Sequence, residues 1–403
     1  MLLGTAASIA MFAVNPAMAQ DAGASTSDED SGKEIVVIGT RRTDRSSTNS
    51  ASPVDVIGAQ ELSTQAASNL LDIVKNLVPS LYVPSNTISD ASTFVRSPSL
   101  RGLPADNVLV MINGKRLNRS ALVQVYSGGD TGLGYGSQGA DVSSIPTIAL
   151  NNLQVLRDGA TAQYGSDAIA GVINYGIRNQ DNGLEVQGRY GQYYRNGDGK
   201  SYQIAANAGF RLGDRAFVNV SGEYFDDGLT SRGVTRPTAL AYATQNPANA
   251  AQLPYFPLPA QIWGNSPTRG WKILLNSELE LSDNAKFYVV GNASHSRASE
   301  SFNYRASTAA ILDPTGTTLK STRAPGDIVL CGRTFLNFNP VAGPDANGCG
   351  TTQDPYFRNL YPAGFTPIFV GIVNQLWGVA GIKGSMGELT YDVSVSRDRK
   401  SVV

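Results

Sequence analysis

The stretch WKILLNSELEL, residues 271–281, indicates the fold because most of its apolar residues, Leu274 excepted, recur at every second position. Trp271, Ile273 and Leu275 occupy alternate positions, and Lys272 lies between the first two of them. Successive side chains of a β-strand point to opposite faces of a sheet, so this alternation predicts a strand with one apolar face and one polar face.

Four further stretches follow the same period of two. They are LEVQGRY (184–190), YQIAANAGFR (202–211), AFVNVSGEY (216–224) and LTYDVSVS (389–396). Soluble β-sandwiches also contain alternating strands, so the strands by themselves leave two architectures open.

The connections between these strands distinguish the two architectures, because every second connection is short. The short ones are 213–214, 282–284 and 384–387, and the long ones lie near residues 195–200, 227–269 and 298–371. Transmembrane barrels have short turns at one rim and long loops at the other, an asymmetry that a sandwich has no reason to keep. The sequence therefore predicts that residues 184–403 form part of a membrane all-β barrel.

The composition limits the classes of function. The chain has 403 residues, a net charge of −1, 16% charged residues, 42 glycines and 17 tyrosines. Many glycines and tyrosines with few charges favour a β-rich protein with many turns. A net charge close to zero gives no attraction to polyanions, so we expect no nucleic-acid partner.

The N-terminus predicts export. Residues 1–19 contain a short apolar run, then Pro16 and the small-residue site AMA at 17–19, which is typical of a signal peptide cleaved after Ala19. An amphipathic N-terminal helix is the alternative, but Pro16 interrupts the run, which is apolar on every side. Because no Lys or Arg lies near Met1, we expect the natural start upstream of it.

A polar segment and an α/β domain lie between the signal peptide and the barrel. Residues 20–33 contain no aromatic or large aliphatic residue, which predicts a disordered tether. Residues 52–178 predict a small α/β domain. It includes an amphipathic helix that begins after Ser63 and ends before Pro79, and a tight hairpin at the Asn-Gly pair of residues 113–114.

Two longer stretches of this α/β domain carry a family resemblance. They are SLRGLPADNVLVMINGKRL (99–117) and IPTIALNNLQVLRDGATAQYGSDAIAGVIN (145–174). The motifs, in this order, resemble the plug domain of TonB-dependent outer-membrane receptors. The resemblance is close over residues 34–178 and continues loosely through the barrel.

This resemblance implies a fold, a location and a function. Such receptors have a 22-stranded barrel with a plugged interior and lie in the outer membrane of Gram-negative bacteria. They transport a scarce ligand, which is an iron chelate such as a siderophore, cobalamin or an oligosaccharide, with energy delivered by TonB of the inner-membrane complex. The implied partners are TonB, outer-membrane lipid and the ligand, and no cofactor is implied.

The length of the chain departs from this family pattern. At roughly 10 residues per strand, the 220 residues after position 183 (403 − 183) hold about seven of the expected 22 strands. We therefore expect a truncated chain whose barrel cannot close, because an open edge in lipid leaves backbone groups unpaired.

An apolar segment precedes the plug, where the resemblance puts the TonB box. Its residues are Glu34, Ile35, Val36, Val37, Ile38, Gly39 and Thr40. An extended segment can add a strand to a partner's sheet, so we expect these residues to bind TonB through main-chain hydrogen bonds. The alternative is that the segment forms the first strand of the plug. Both roles are compatible if the segment exchanges between the plug and TonB.

The resemblance also assigns roles inside the plug. Arg101 and Arg157 match arginines that pair with acidic residues on the inner wall of the barrel, so we expect them to latch the plug, with exposed arginines at a plug edge as the alternative. Loops between residues 116 and 135 would face the ligand, with solvated loops as the alternative. The candidate ligand-binding residues are Arg116, Asn118, Arg119, Tyr126 and Tyr135.

The sequence predicts neither an enzyme nor a metal site. Cys331 and Cys349 lack C-x-x-C spacing, and in an exported protein we expect them to form a disulfide, in an external loop. His295 is the only histidine, which excludes the zinc motif H-E-x-x-H, and we expect it to be an ordinary residue of a barrel strand. A G-x-S-x-G nucleophile stretch is also missing from the sequence.

Two other functions stay open on the sequence. A passive porin-like barrel or a surface adhesin would keep the plug as structure only, and the energy dependence of uptake distinguishes this from active transport. A secreted hydrolase with a β-domain is a further alternative, which the missing catalytic motifs disfavour.

Overall fold

The computed structural model covers much of the predicted α/β domain and of the predicted barrel. The described residues are 7–8, 38, 54–64, 70–83, 95–124, 135–157, 163–245, 247, 262–302, 304, 311–312, 318–319, 328–330, 333–335 and 366–403. The predicted tether lies outside them.

The first half of the chain contains short strands and helices. In chain order, the strands are β1 (Ala7–Ser8), β2 (Val54–Gly58), β3 (Leu81–Tyr82), β4 (Ser99–Leu100), β5 (Val108–Ile112), β6 (Lys115–Arg116), β7 (Leu150–Leu156) and β8 (Gly171–Ile177). The α-helices are α1 (Ala59–Ser63) and α2 (Leu70–Leu77). Single turns of 3-10 helix are formed by Ala105–Asn107, Val142–Ser144, Thr147–Ala149 and Ser166–Ala168.

A mixed sheet in the order β2-β7-β8-β5-β6 forms the centre of the α/β domain, with β5 and β8 parallel to each other. All five residues of β5 are buried, because apolar side chains cover both faces of the sheet. One face packs against Leu70 and Ile73 of α2. Leu109 and Met111 of β5 belong to a second apolar cluster on the other face.

The predicted helix after Ser63 is wrong at its start and right at its end. Ser63 is the last residue of α1, and Thr64 caps that helix through its backbone N–H. The chain is already helical at this point because Leu62 is buried in the domain core. The second helix, α2, ends at Leu77, two residues before Pro79, as the sequence predicts.

The predicted tight hairpin is confirmed. Asn113 and Gly114 connect β5 to β6 with φ angles of 48° and 74°, the left-handed conformation that a type I′ turn requires at both positions. The side-chain oxygen of Asn113 accepts a hydrogen bond from the backbone N–H of Ile177 (3.0 Å), and the N–H of Gly114 donates to Asn174 (2.8 Å). The hairpin is therefore fixed to the end of β8.

The second half of the chain forms an antiparallel sheet of seven long strands, as the sequence predicts. In chain order, its elements are β9 (Leu184–Gly191), β10 (Ser201–Leu212), β11 (Ala216–Asp227), α3 (Pro237–Gln245), β12 (Thr268–Ser282), β13 (Ala285–Ser301), the short β14 (Ile311–Leu312), β15 (Thr318–Leu319), β16 (Ile328–Leu330) and β17 (Arg333–Phe335), then β18 (Ile368–Met386) and β19 (Leu389–Val402). The seven long strands are neighbours in chain order, and β1 pairs with β9 at one edge. None of the described helices is long and apolar enough to span a membrane.

Side-chain exposure confirms the predicted alternation. On β12, Lys272 and Leu274 are buried toward the α/β domain, whereas Trp271 and Ile273 are exposed on the opposite side. We call these two sides of the sheet the inner face and the outer face. The outer face of the other long strands is also apolar, with exposed Leu184, Val186, Ile204, Phe210, Tyr224, Leu376, Ile382 and Val393.

The predicted alternation of short and long connections is also present, with one correction. The turn predicted at 384–387 consists of residues 387 and 388, because β18 continues to Met386 and β19 begins at Leu389. Gly387 adopts a φ of 62°, a conformation that glycine adopts without steric cost, and this places the reversal at Gly387-Glu388.

Candidate functional site

Ile38 is the one residue of the predicted TonB box that lies within the described part of the chain. Its side chain is 1% exposed and packs with Leu109, Met111 and Val172 of the plug sheet. Burial of an isoleucine contributes about 1.5–3 kcal/mol. This side chain therefore anchors the chain to the plug at residue 38.

The two predicted latch arginines lie beside each other on the plug. Arg157 forms an ion pair with Asp55 of β2, and the hydrogen bond in this pair raises the pKa of Arg157. The guanidinium of Arg101 donates a hydrogen bond to the carbonyl of Arg157 (2.7 Å). The acid beside Arg157 thus belongs to the plug and not to the described barrel strands, so the latch stays a prediction.

Three of the candidate ligand-binding residues line one cavity of about 340 Å³. Arg116 is the last residue of β6, and Asn118 and Arg119 follow it in the chain. Asp106 and Asp167 belong to the same lining, whose other residues are mainly apolar. Two guanidinium groups and two carboxylates therefore meet in a cavity with partly apolar walls.

Asp167 links the two arginines of this cavity. Its carboxylate accepts a hydrogen bond from Arg116 and lies 3.3 Å from the Nη2 atom of Arg119. Partial burial raises the pKa of Asp167, but the hydrogen bond and charge of Arg116 and the charge of Arg119 outweigh it and hold this pKa below its usual value. The arrangement can donate guanidinium hydrogen bonds to oxygen atoms of a polar ligand.

The remaining candidates are not brought to this cavity. Tyr135 is 72% exposed and is not among the lining residues. Tyr126, Cys331 and Cys349 lie outside the described residues. His295 lies on β13, where its Nδ1 is 2.7 Å from the side-chain oxygen of Asn374, as expected for an ordinary barrel residue. Within the described ranges, no cluster of three or more His, Cys, Asp or Glu side chains could hold a metal ion.

The hairpin side of the plug contacts β19. Lys115 forms an ion pair with Asp392 (2.8 Å). Lys400 donates hydrogen bonds to the backbone carbonyls of Asn118 (2.5 Å) and Arg119 (3.0 Å), next to the cavity. The contact between Lys115 and Asp392 is partly open to solvent, because these side chains are 20% and 41% exposed.

A second side of the plug is packed against the inner face of the barrel sheet. Asp141 is fully buried, and one of its oxygens accepts hydrogen bonds from the backbone N–H groups of Ser143 (3.0 Å) and Arg96 (3.1 Å). The other oxygen accepts one from the side chain of Gln375 on β18. Burial raises the pKa of Asp141, although these hydrogen bonds oppose the shift.

A barrel carboxylate contacts the backbone of the plug at the 3-10 turn Thr147–Ala149. Glu223 on β11 accepts a hydrogen bond from the N–H of Thr147 (2.7 Å) through one oxygen. Its other oxygen accepts one from Lys272 of β12 (2.7 Å). Both charged side chains are buried.

Further inner-face side chains donate to plug carbonyls. The amide of Asn292 on β13 donates to the carbonyl of Ser144 (3.0 Å), and the amide of Asn276 on β12 donates to the carbonyl of Arg178 (2.8 Å). With β19, five neighbouring strands, β11, β12, β13, β18 and β19, thus contact the plug through polar side chains.

The sequence placed Glu223 and Lys272 on the polar side of their strands but did not indicate this role. The signal that could have found them is a pair of opposite charges at inward positions of neighbouring strands. Glu223 and Lys272 lie directly opposite each other in the register of β11 and β12. Opposite charges at such positions stabilise a sheet.

A family model matches the plug part of the chain. The model described as the TonB-dependent Receptor Plug Domain matches residues 46–172. This range overlaps most of the predicted plug and includes the cavity residues and both 3-10 turns that contact the barrel. The match therefore covers the plug core and most of the plug residues that contact the barrel, with Arg178 outside it.

Solved structures share the fold of most of the chain. A double mutant of the ferric enterobactin receptor PfeA from Pseudomonas aeruginosa matches with a TM-score of 0.53 and 14% identity, over 87% of this chain and 41% of that one. A single mutant of PfeA in complex with enterobactin matches with a TM-score of 0.51 and 13% identity, over 86% and 41%. The chain thus spans about 41% of the length of these receptors. Both are named as ferric enterobactin receptors.

Proposed function

Because residues 46–172 are the plug domain of a TonB-dependent receptor, we propose that the protein imports a ferric chelate across the outer membrane with energy delivered by TonB. The observation that carries the proposal is the docked plug. Side chains of five neighbouring barrel strands hold it through hydrogen bonds. A plug held in this way has to rearrange before a ligand can pass, and the rearrangement needs energy.

A ferric chelate is the ligand class that we favour over cobalamin and oligosaccharides. PfeA, which shares the fold, is a ferric enterobactin receptor. The cavity lined by Arg116, Asn118 and Arg119 supports the choice, because its guanidinium groups can donate to the oxygen atoms that surround a chelated metal. Tyr126 and Tyr135 stay candidates for the same role.

We further propose that residues 34–40 bind TonB. The buried Ile38 supports an exchange in which the segment rests on the plug and leaves it to pair with the partner. Main-chain hydrogen bonds contribute about 0.5–1.5 kcal/mol each. A few of them can therefore compensate for the loss of one buried isoleucine, which makes the exchange reversible.

The other segments are proposed from the sequence, although the structure pairs Ala7–Ser8, inside the proposed signal peptide, with β9. We propose a signal peptide at 1–19, a tether at 20–33, a plug at 52–178 and barrel strands from 184 onward. The apolar outer face of those strands would contact outer-membrane lipid.

Uptake measurements test this proposal. A strain whose uptake depends on the protein is given a panel of ferric siderophores, cobalamin and oligosaccharides, each with and without an uncoupler of the proton gradient. We expect a ferric siderophore to be taken up and the uncoupler to abolish its uptake. Uptake that continues unchanged with the uncoupler would contradict active transport and favour the passive barrel.

A further inference from the structure

The backbone N–H of Thr147 has no acceptor in its own turn. Thr147 begins a 3-10 turn whose first N–H groups lack intrahelical partners. The preceding residue is Pro146, and the turn has no side-chain cap. An acceptor must therefore come from elsewhere in the molecule, because an N–H withheld from water without a partner is costly.

Glu223 supplies this acceptor from the barrel wall. The residue is 4% exposed. One carboxylate oxygen accepts from the N–H of Thr147 and the other from the ammonium group of Lys272, both at 2.7 Å. Because each donor has its own oxygen, the carboxylate can bind the plug and the barrel at the same time.

Lys272 provides the opposite charge that a buried carboxylate requires. It lies opposite Glu223 on the neighbouring strand, is itself 5% exposed, and has its ammonium group 4.7 Å from the centre of the Phe225 ring. The charge of Arg189 on β9 also acts on Glu223, from the other side of β11 along the sheet. The barrel wall itself thus compensates the charge of the carboxylate that reaches the plug.

We propose that Glu223 is a positioning residue, which fixes the Thr147–Ala149 turn of the plug on the barrel, and that Lys272 keeps the carboxylate oriented for this contact. The inference goes beyond the proposed function, because it depends neither on the ligand nor on the source of energy.

Amide hydrogen exchange at Thr147 reads out the contact directly. In the Glu223→Gln variant, the single side-chain oxygen turns to Lys272 and the amide group faces the N–H of Thr147. We expect exchange at Thr147 to become faster by about tenfold or more, because one charge-assisted hydrogen bond is lost. Exchange at Ser143, whose N–H donates to Asp141, should stay the same.

A second substitution should reverse the effect. In Glu223→Gln with Lys272→Met, the glutamine oxygen is released from the lysine and can accept from Thr147. Exchange at Thr147 should then return to within about threefold of the original rate. A residue that is needed only for general stability would show no such recovery.

Glu278→Gln is the matched control. Glu278 also lies on the barrel and pairs with Lys286 (2.9 Å) and Lys383 (2.6 Å), which are barrel residues. Because these partners do not belong to the plug, this variant should leave exchange at Thr147 unchanged.

A more conservative variant keeps the test decisive if Glu223→Gln does not insert into the membrane. Glu223→Asp then replaces it, since the shorter side chain keeps the charge but withdraws from Thr147. An unchanged exchange rate at Thr147 in the inserted Glu223 variant, or equal acceleration at Ser143, would overturn the proposal.

Discussion

Two 3-10 turns of the plug, Val142–Ser144 and Thr147–Ala149, lie almost next to each other but obtain their acceptors differently. The first turn is capped from within, because Asp141 accepts from the N–H of Ser143. The second turn follows Pro146 and is capped by Glu223, 76 residues further along the chain.

The two turns differ in how far their hydrogen bonds depend on docking. The first turn can satisfy its N–H groups while the plug folds, because its cap is local. The N–H of Thr147 in the second turn has its acceptor on the barrel, so it gains this partner when the plug docks. Folding of the plug and its docking on the barrel therefore depend on different hydrogen bonds. Substitutions can test the two steps separately.

The largest expected effect comes from breaking the buried charge pair. Lys272→Met removes the bonded counter-charge of the buried Glu223, so we expect the free energy of unfolding to fall by about 3 kcal/mol. Urea unfolding in lipid vesicles, followed by tryptophan fluorescence, measures it. The partly exposed Lys286 is the control, and a similar loss in Lys286→Met would contradict the difference in burial.

Removal of the local cap should cost less. Asp141→Ala leaves the N–H groups of Ser143 and Arg96 without their acceptor and also removes the contact with Gln375 of β18, and we expect a loss of about 2 kcal/mol. Hydrogen exchange should become faster at Ser143 but not at Thr147. Faster exchange at both would show that the two turns are one unit.

The pH dependence of stability should reveal the burial of Asp141. Burial raises its pKa above the ordinary value of 3.8, so the folded protein binds the proton more tightly than the unfolded chain. The free energy of unfolding should therefore fall as the pH rises from 3.8 through the raised pKa, by at most about 1.4 kcal/mol per pH unit. Unfolding measured across this range should show a smaller slope for Asp141→Asn, and an unchanged slope would assign the effect to other groups.

The smallest effect is expected at the open edge of the interface between plug and barrel. Lys115 and Asp392 are 20% and 41% exposed, and a pair in contact with solvent contributes about 1 kcal/mol or less. Lys115→Met should therefore change the urea midpoint only slightly. A loss of stability as large as that expected for Lys272→Met would mean that solvent exposure does not explain the difference between the Lys115–Asp392 and Lys272–Glu223 pairs.

The elements that depend on local pattern could be predicted from the sequence. Alternation placed the outer and inner faces of the strands, and the Asn-Gly pair placed the hairpin after β5. The start of the plug helix was wrong, because the burial of Leu62 is a tertiary effect that helix periodicity does not contain.

The docking contacts could not be predicted, because they join distant parts of the chain. The sequence around Glu223 does not indicate a contact with Thr147. The sequence around Asp167 does not indicate its ion pairs with Arg116 and Arg119 either. The resemblance assigned the latch to Arg101 and Arg157, whereas the described ion pair of Arg157 lies within the plug. Register and long-range packing determine such pairs.

Uptake by the Val37→Pro variant tests energy coupling through residues 34–40 most directly. Proline removes a main-chain donor and fixes φ, so the segment should no longer pair with TonB. The matched control is Ser27→Pro in the predicted tether. We expect Val37→Pro to abolish energy-dependent uptake while ligand binding and the amount in the outer membrane stay the same, and Ser27→Pro to change none of them. Normal uptake by Val37→Pro would contradict energy coupling through residues 34–40.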